Sequence, residues 1–285
     1  MGIASAYFIF GPEDVSLENT FDFSTIEISP IKLKEGGEGE IITSPESDLF
    51  DVYAYESDLK VDSMGNYVAS YMHFKLKKGN EDIYREIRVT PDSQEAVVIA
   101  PIFTITAYTE PGFYDYFKGE CDTSCIQSVP IKYDLTPTLG TSENAIRILK
   151  LLGYPVVTDI EIDKQPDLLN QFDKVILLHN EYITRTEFDA IIDHPKVIYL
   201  YPNALYAEIS VDYDNQTITL LRGHNFPEQY IRNGFDWKFD NSELEYDDCR
   251  NNWEFSEIDN GIMLSCYPEN FIYKEYDLLK FIKDY

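Results

Sequence analysis

The stretch Phe172 to Tyr206 constrains the fold more than any other part of the chain. Lys174 to Leu178 is a short apolar run without alternation, as expected of a strand buried on both faces. A polar tetrad, His179-Asn180-Glu181-Tyr182, bounds it. Thr184 then has the spacing of a helix start, with Glu187 three residues on as the partner in a capping box. Phe188, Ile191 and Ile192 place apolar groups on one side of that helix, and Pro195 ends it. Lys196 to Tyr201 is a second buried strand, closed by Pro202-Asn203. Strand, helix, strand in this order predicts a right-handed βαβ unit.

The same rhythm extends upstream. Val129 to Leu135 and Val156 to Ile162 read as strands, Ser142 to Leu152 as an amphipathic helix ended at Gly153, and Pro166 to Leu169 as a short helix. Strands alternating with helices predict an open, mostly parallel α/β sheet over residues 128–285. Hairpin additions follow at Glu208–Val211 with Thr217–Leu221, and at Trp253–Ile258 with Gly261–Cys266. A terminal helix spans Tyr273 to Lys283.

Residues 1–115 read differently. Tyr7–Phe10, Phe21–Ile28, Glu40–Thr43, Val52–Tyr55, Tyr67–Lys77, Ile83–Val89, Ala96–Ala100 and Phe103–Tyr108 are strand candidates separated by Gly, Pro and Asp turns. That pattern predicts a β-sandwich. Residues 116–127 form a connector containing Cys121 and Cys125. The aromatic cluster Phe113, Tyr114, Tyr116 and Phe117 just before it reads as packing between the two parts.

Composition narrows the partners. Asp and Glu number 51 against 23 Lys and Arg, a formal charge of −28. Such a field repels phosphates, so nucleic acid and anionic membrane surfaces are disfavoured. A small polar molecule, a glycan or a surface protein is the expected partner. No apolar run approaches a membrane span. The first ten residues have no basic n-region; they either begin the first strand or follow an upstream signal or anchor. Cys121 with Cys125, and Cys249 with Cys266, are two local pairs that suit two disulfides, an oxidising compartment and an extracellular or cell-surface location. The second pair is not a zinc knuckle and has no nearby His.

In an open α/β sheet, ligands bind beyond the carboxyl ends of the strands. Those ends carry Thr136 and Ser142, then His179, Glu181 and Tyr182, then Asn203 and Tyr206. They are the candidate binding residues. His179 has a structural alternative as a helix cap, Glu181 as a charge at a helix N-terminus, and the tyrosines as packed phenols. His224 reads as a loop residue, and Glu245 with Asp247 and Asp248 as a solvated acidic face. The strand-to-helix elbow after Leu178 holds no Cys or Ser, so a cysteine amidotransferase or serine hydrolase mechanism has no nucleophile there.

HNEYITRTEF followed by LYPNALY resembles the C-terminal, class I glutamine-amidotransferase-like domain of N,N-dimethylformamidase large subunits. His179, Glu181-Tyr182, Asn203 and Tyr206 carry the likeness. Ile183 and Ala207 stand where that family has tryptophans, and Asp193-His194-Pro195 replaces its Gly-Gly turn. The resemblance implies iron held by Tyr182, Tyr206 and a glutamate, activating water against an amide. Glu208 is the nearest acidic residue to the second tyrosine. The whole chain is also similar to exported proteins of ammonia-oxidising archaea, which implies export. Without the tryptophans and the third ligand, a non-catalytic binding module with no cofactor is the first expectation, and the iron hydrolase the alternative.

Overall fold

The computed structural model describes residues 40–41, 47–61, 67–69, 71–90, 93–133, 142–247, 249 and 252–285. The strand candidates before residue 40, and Thr136 with the rest of the loop 134–141, lie outside the described residues.

The first described elements are short antiparallel strands: β1 (Glu40–Ile41), β2 (Phe50–Tyr55), β3 (Leu59–Val61), β4 (Tyr67–Ala69) and β5 (His73–Leu76). They form a three-stranded sheet, β1-β2-β5, and a two-stranded ribbon, β3-β4. The expected single strand Tyr67–Lys77 is thus two, each with its own partner.

Two further expectations in this part are corrected. Ile83–Val89 is not a strand: Glu81–Ile87 is helix α1, started by Glu81 and Asp82 at its positive end, with Tyr84 and Ile87 facing inward. Phe103–Tyr108 is also helical. After β6 (Val97–Ala100), Pro101 turns the chain into α2 (Ile102–Ala107), all of it buried. Its β-branched Ile and Thr favour a strand locally, but tertiary packing overrides that preference. The Thr106 hydroxyl returns to the Ile102 carbonyl within the helix.

Beyond α2 come α3 (Phe113–Phe117), β7 (Val129–Pro130), α4 (Glu143–Leu151), β8 (Val156–Thr158) and α5 (Asp159–Lys164). The chain continues through β9 (Val175–Leu177), β10 (Tyr182–Ile183), α6 (Arg185–Asp193), β11 (Val197–Tyr199), β12 (Ala207–Asp212) and β13 (Thr217–Arg222). It ends with β14 (Phe255–Ile258), β15 (Gly261–Leu264) and α7 (Tyr276–Asp284).

The central sheet has the order β14-β15-β11-β9-β6-β8. All its pairings are parallel except β14 with β15. The molecule is therefore mixed α/β with open sheets. β6 sits between β9 and β8, so the parallel sheet includes a strand from before residue 115. Strand alternation divides two cores. Val98, Ile176 and Ile198 face Ile148 and Leu149 of α4 and Leu279 and Ile282 of α7. Val97, Val175, Leu177 and Val197 face Ile162 of α5 and Phe188 and Ile191 of α6. Each fully buried side chain of this kind contributes about 1.5–3 kcal/mol. Phe50, Tyr84 and Ile87 join the α4 side, so the N-terminal strands pack onto the same core.

A second sheet, β10-β12-β13-β7, stands at the carboxyl end of the first. β10 and β12 are parallel and the rest antiparallel. Two disulfides crosslink the chain, Cys121–Cys125 and Cys249–Cys266. Among the described residues, no helix is long and apolar enough to cross a membrane.

Candidate functional site

The site forms where the chain leaves β9 and enters β10. Glu181 is fully buried there, and its surroundings fix both its backbone and its charge. The Thr104 hydroxyl oxygen of α2 accepts from the Glu181 and Tyr182 amides, at 3.0 and 3.1 Å. The Glu181 carbonyl accepts from the Tyr206 and Ala207 amides, which docks the β11–β12 loop beside it. That loop turns through Asn203 and Leu205, both with φ near +60°. Asn tolerates this conformation; Leu205 is held in it by Asn180 and Asn233, which bond its amide and its carbonyl.

The Glu181 carboxylate gathers donors from three further elements. His224 Nε2 lies 2.5 Å from Oε1. The Tyr108 hydroxyl donates to Oε2 at 2.6 Å, and the Tyr114 hydroxyl stands 3.3 Å from both oxygens. Burial alone would raise the Glu181 pKa, but the His224 imidazole, then His179 and the Tyr108 hydroxyl outweigh it and hold the carboxyl below its ordinary value. Glu181 is therefore an ionised carboxylate in a buried place.

Glu245 takes the opposite course. Burial, and then the Glu181 charge, push its pKa well above the ordinary value, opposed by Tyr246 and Asn203. His179 Nε2 stands between the two carboxyl groups, 3.9 Å from Glu181 Oε2 and 3.7 Å from Glu245 Oε1. Its Nδ1 meets the Tyr267 hydroxyl at 3.3 Å. Two carboxyl groups with pKa values driven apart, and an imidazole between them, can hold a proton on one side and a charge on the other.

Aromatic rings wall this polar centre. Tyr182 stacks on His224 with centroids 5.2 Å apart, and Tyr206 meets the same imidazole edge-on at 4.5 Å. Phe117 closes on His224 at 5.3 Å. Burial raises the pKa values of both tyrosines, so they stand as neutral phenols. Gly223, with φ +120°, makes the turn that aims His224 inward; a Cβ there would lie 2.9 Å from the Ala207 Cα.

Of the residues expected from the sequence, His179, Glu181, Tyr182 and Tyr206 come together here. Asn203 joins them through Asn241, whose side-chain oxygen accepts from the Asn203 amide at 3.1 Å. The Ser142 hydroxyl accepts from the His179 amide at 3.4 Å, so it borders the cluster from α4. Glu208 does not belong to it: its carboxylate pairs with Arg185 at 2.8 Å.

Four residues given structural roles by the sequence belong to the site. Tyr114 of the aromatic cluster reaches Glu181. His224 is no simple loop residue. Glu245 is largely withdrawn from solvent, its side chain 10% exposed, unlike a solvated acidic face. Tyr108 is the fourth, hidden in a segment read as a strand. The one signal in the sequence was a His in a Gly-His-Asn turn, where a polar ring follows a strand end.

No group of three His, Cys, Asp or Glu among the described residues is arranged to hold a metal ion. An ion here would depend on phenol oxygens, and two phenols do flank one imidazole beside a carboxylate. Hard oxygen donors with one imidazole are of the type a ferric ion takes, but here both phenols are neutral and the His224 Nε2 faces Glu181. No family model matches the sequence, and no similar curated protein is found.

Proposed function

We propose that the protein is an exported, non-catalytic module that binds a small polar molecule at this buried cluster. One observation carries the reading. The Asn180 and Asn241 amide nitrogens are buried with no hydrogen-bond partner among the described residues, and beside them Tyr182, Asn203 and Glu245 bring a hydroxyl, an amide and a carboxyl engaged only by Tyr114, Tyr246 and each other. Each such group costs about 1–3 kcal/mol. Native cores keep few such groups, so a cluster of them points to a polar partner. They offer donors and acceptors together, which suits a molecule carrying both. The two disulfides fit an oxidising, extracellular setting. The parallel sheet with its site at the strand carboxyl ends supports a glutamine-amidotransferase-like fold for the α/β part, and the antiparallel N-terminal strands are compatible with a sandwich.

Thermal unfolding with acetamide, acetate or glucose tests the reading. At least one should raise the midpoint of the wild type and leave Asn203→Ala unmoved. No shift with any of them, or equal shifts in both proteins, would refute it.

A second reading, an iron-dependent amide hydrolase, is favoured by the placement of Tyr182 and Tyr206 on the same imidazole. Their phenols and Glu181 would hold the ion, which when bound supplies a Lewis acid that acidifies water. His179 would hold a proton between the carboxyl groups, and Glu245, kept protonated by burial and by the Glu181 charge, would donate one to a leaving amine. Metal analysis of protein purified without chelator separates the readings: the binding module predicts no stoichiometric iron, the hydrolase one iron per chain.

A further inference from the structure

A second group of buried carboxyls lies between α5 and α6, away from the candidate site. Glu187 of α6 is fully buried, and neither carboxylate oxygen has a hydrogen-bond partner. The expected capping box is therefore half made: the Thr184 hydroxyl oxygen accepts from the Glu187 amide, but Glu187 does not reach back. Its carboxyl lies in the field of Asp159 and Asp163, on the helix packed against it.

Those two are already engaged. Asp159 Oδ2 accepts from the Phe103 amide at 2.8 Å and Oδ1 from the Ile160 amide at 2.8 Å. Asp163 accepts the Thr184 hydroxyl at 2.5 Å and the Tyr213 hydroxyl at 2.6 Å. Among the described residues, the nearest cations are engaged elsewhere. Lys164 holds its ammonium over the Tyr213 ring, and Arg185 is paired with Glu208. Glu161 turns back to cap Thr158. The packed helix α2 carries no titratable side chain.

We propose that this trio is a proton-operated latch on the candidate site, closed while Glu187 carries a proton and released when it ionises. The connections are short. Asp159 holds the Phe103 amide, and the next residue, Thr104, holds the Glu181 and Tyr182 amides. Asp163 holds Thr184, the residue after β10. Both ends of the segment 181–184 are thus tied to the trio. Ionising Glu187 sets a negative charge beside Asp159 and Asp163 in a low-dielectric space, which drives α5 and α6 apart.

The sign follows from linkage. Burial first, and then Asp159 and Asp163, hold the Glu187 pKa well above its ordinary value. Asp159 is likewise raised, by burial first. Groups raised in the folded state stabilise it at low pH, and that stability is lost as pH rises through the folded values.

Amide hydrogen exchange of the segment 181–184 tests the latch, with rates corrected for intrinsic pH dependence. Protection should fall by about tenfold or more as the pH is raised from about 5 through the folded Glu187 value, a tenfold change being one pKa unit. Glu187→Gln, a neutral isostere, should keep protection high and flat. Should that variant not fold, the infrared band of a protonated carboxyl in the wild type, present at the low pH and gone at the high one, tests the same point. Protection independent of pH in the wild type, or falling equally in Glu187→Gln, overturns the proposal. So does a calcium-induced rise in stability at neutral pH that Glu187→Gln abolishes, since a cation and not a proton would then hold the trio. None of these outcomes depends on whether the site binds a ligand.

Discussion

Nε2 of His224 and Oε1 of Glu181 lie 2.5 Å apart, on residues 43 positions apart in the chain and both withdrawn from solvent. This pair joins the second sheet's far hairpin to the end of β9. It also explains how a carboxylate stays ionised where burial opposes it.

Removing the imidazole should therefore strand a buried charge. His224→Ala is expected to lower stability by about 3–5 kcal/mol, the usual result of breaking one side of a buried pair. Glu181→Gln on that background should recover a large part of the loss. Urea unfolding of the four proteins of the cycle measures this at neutral pH. Because the Glu181 pKa is lowered in the folded state, its contribution is present above the ordinary Glu value of about 4.3 and is lost as pH falls through the folded value.

Thr104 positions the same carboxylate through the backbone. Thr104→Val keeps the shape and removes the acceptor for the Glu181 and Tyr182 amides. Two buried N–H groups left unpaired should cost about 2–5 kcal/mol. Thermal unfolding reads the loss, and loss of exchange protection confined to those two amides places it.

The two disulfides should differ in reactivity. Cys249 and Cys266 are buried, whereas Cys121 is half exposed in its loop. Mild reductant should open Cys121–Cys125 first, as seen by mass mapping of alkylated thiols. Opening the longer Cys249–Cys266 loop should then cost about 3 kcal/mol in the chain-entropy account. Simultaneous reduction would contradict this order.

Lys174 is a buried cation at the end of α7, donating to the Ile282 carbonyl at 2.7 Å and the Lys283 carbonyl at 3.0 Å. Burial first, and Lys196 next, bring its pKa down to about 8. The unfolded chain binds that proton more tightly, so stability should rise as pH rises from about 8 toward the ordinary lysine value of about 10.4. NMR titration of the labelled lysine checks the midpoint, and Lys174→Met should remove the titration.

The sequence made the central sheet readable where burial was strongest. Val175–Leu177 and Val197–Tyr199 are apolar on both faces, which fits strands buried on both sides. The Thr184 cap was equally plain. The helices α1 and α2 were not. Ile102 to Ala107 is β-branched and apolar, and only its burial against the second sheet decides for a helix. The site was half legible: His179, Glu181, Tyr182, Asn203 and Tyr206 follow from the topology of strand ends. Tyr108, Tyr114, His224 and Glu245 arrive from elements far away in sequence, and no local pattern announces that kind of convergence.

The central claim is that the orphaned polar groups around Glu181 and Asn203 exist to meet a small polar molecule. A crystal structure of the protein as purified, at a resolution that separates water from other density, tests it most directly. The account predicts a bound molecule hydrogen-bonded to Asn203, Glu245 or the Tyr182 hydroxyl, with no anomalous signal at the iron edge. Rotated side chains that satisfy one another would contradict it, as would an anomalous peak between Tyr182 and Tyr206.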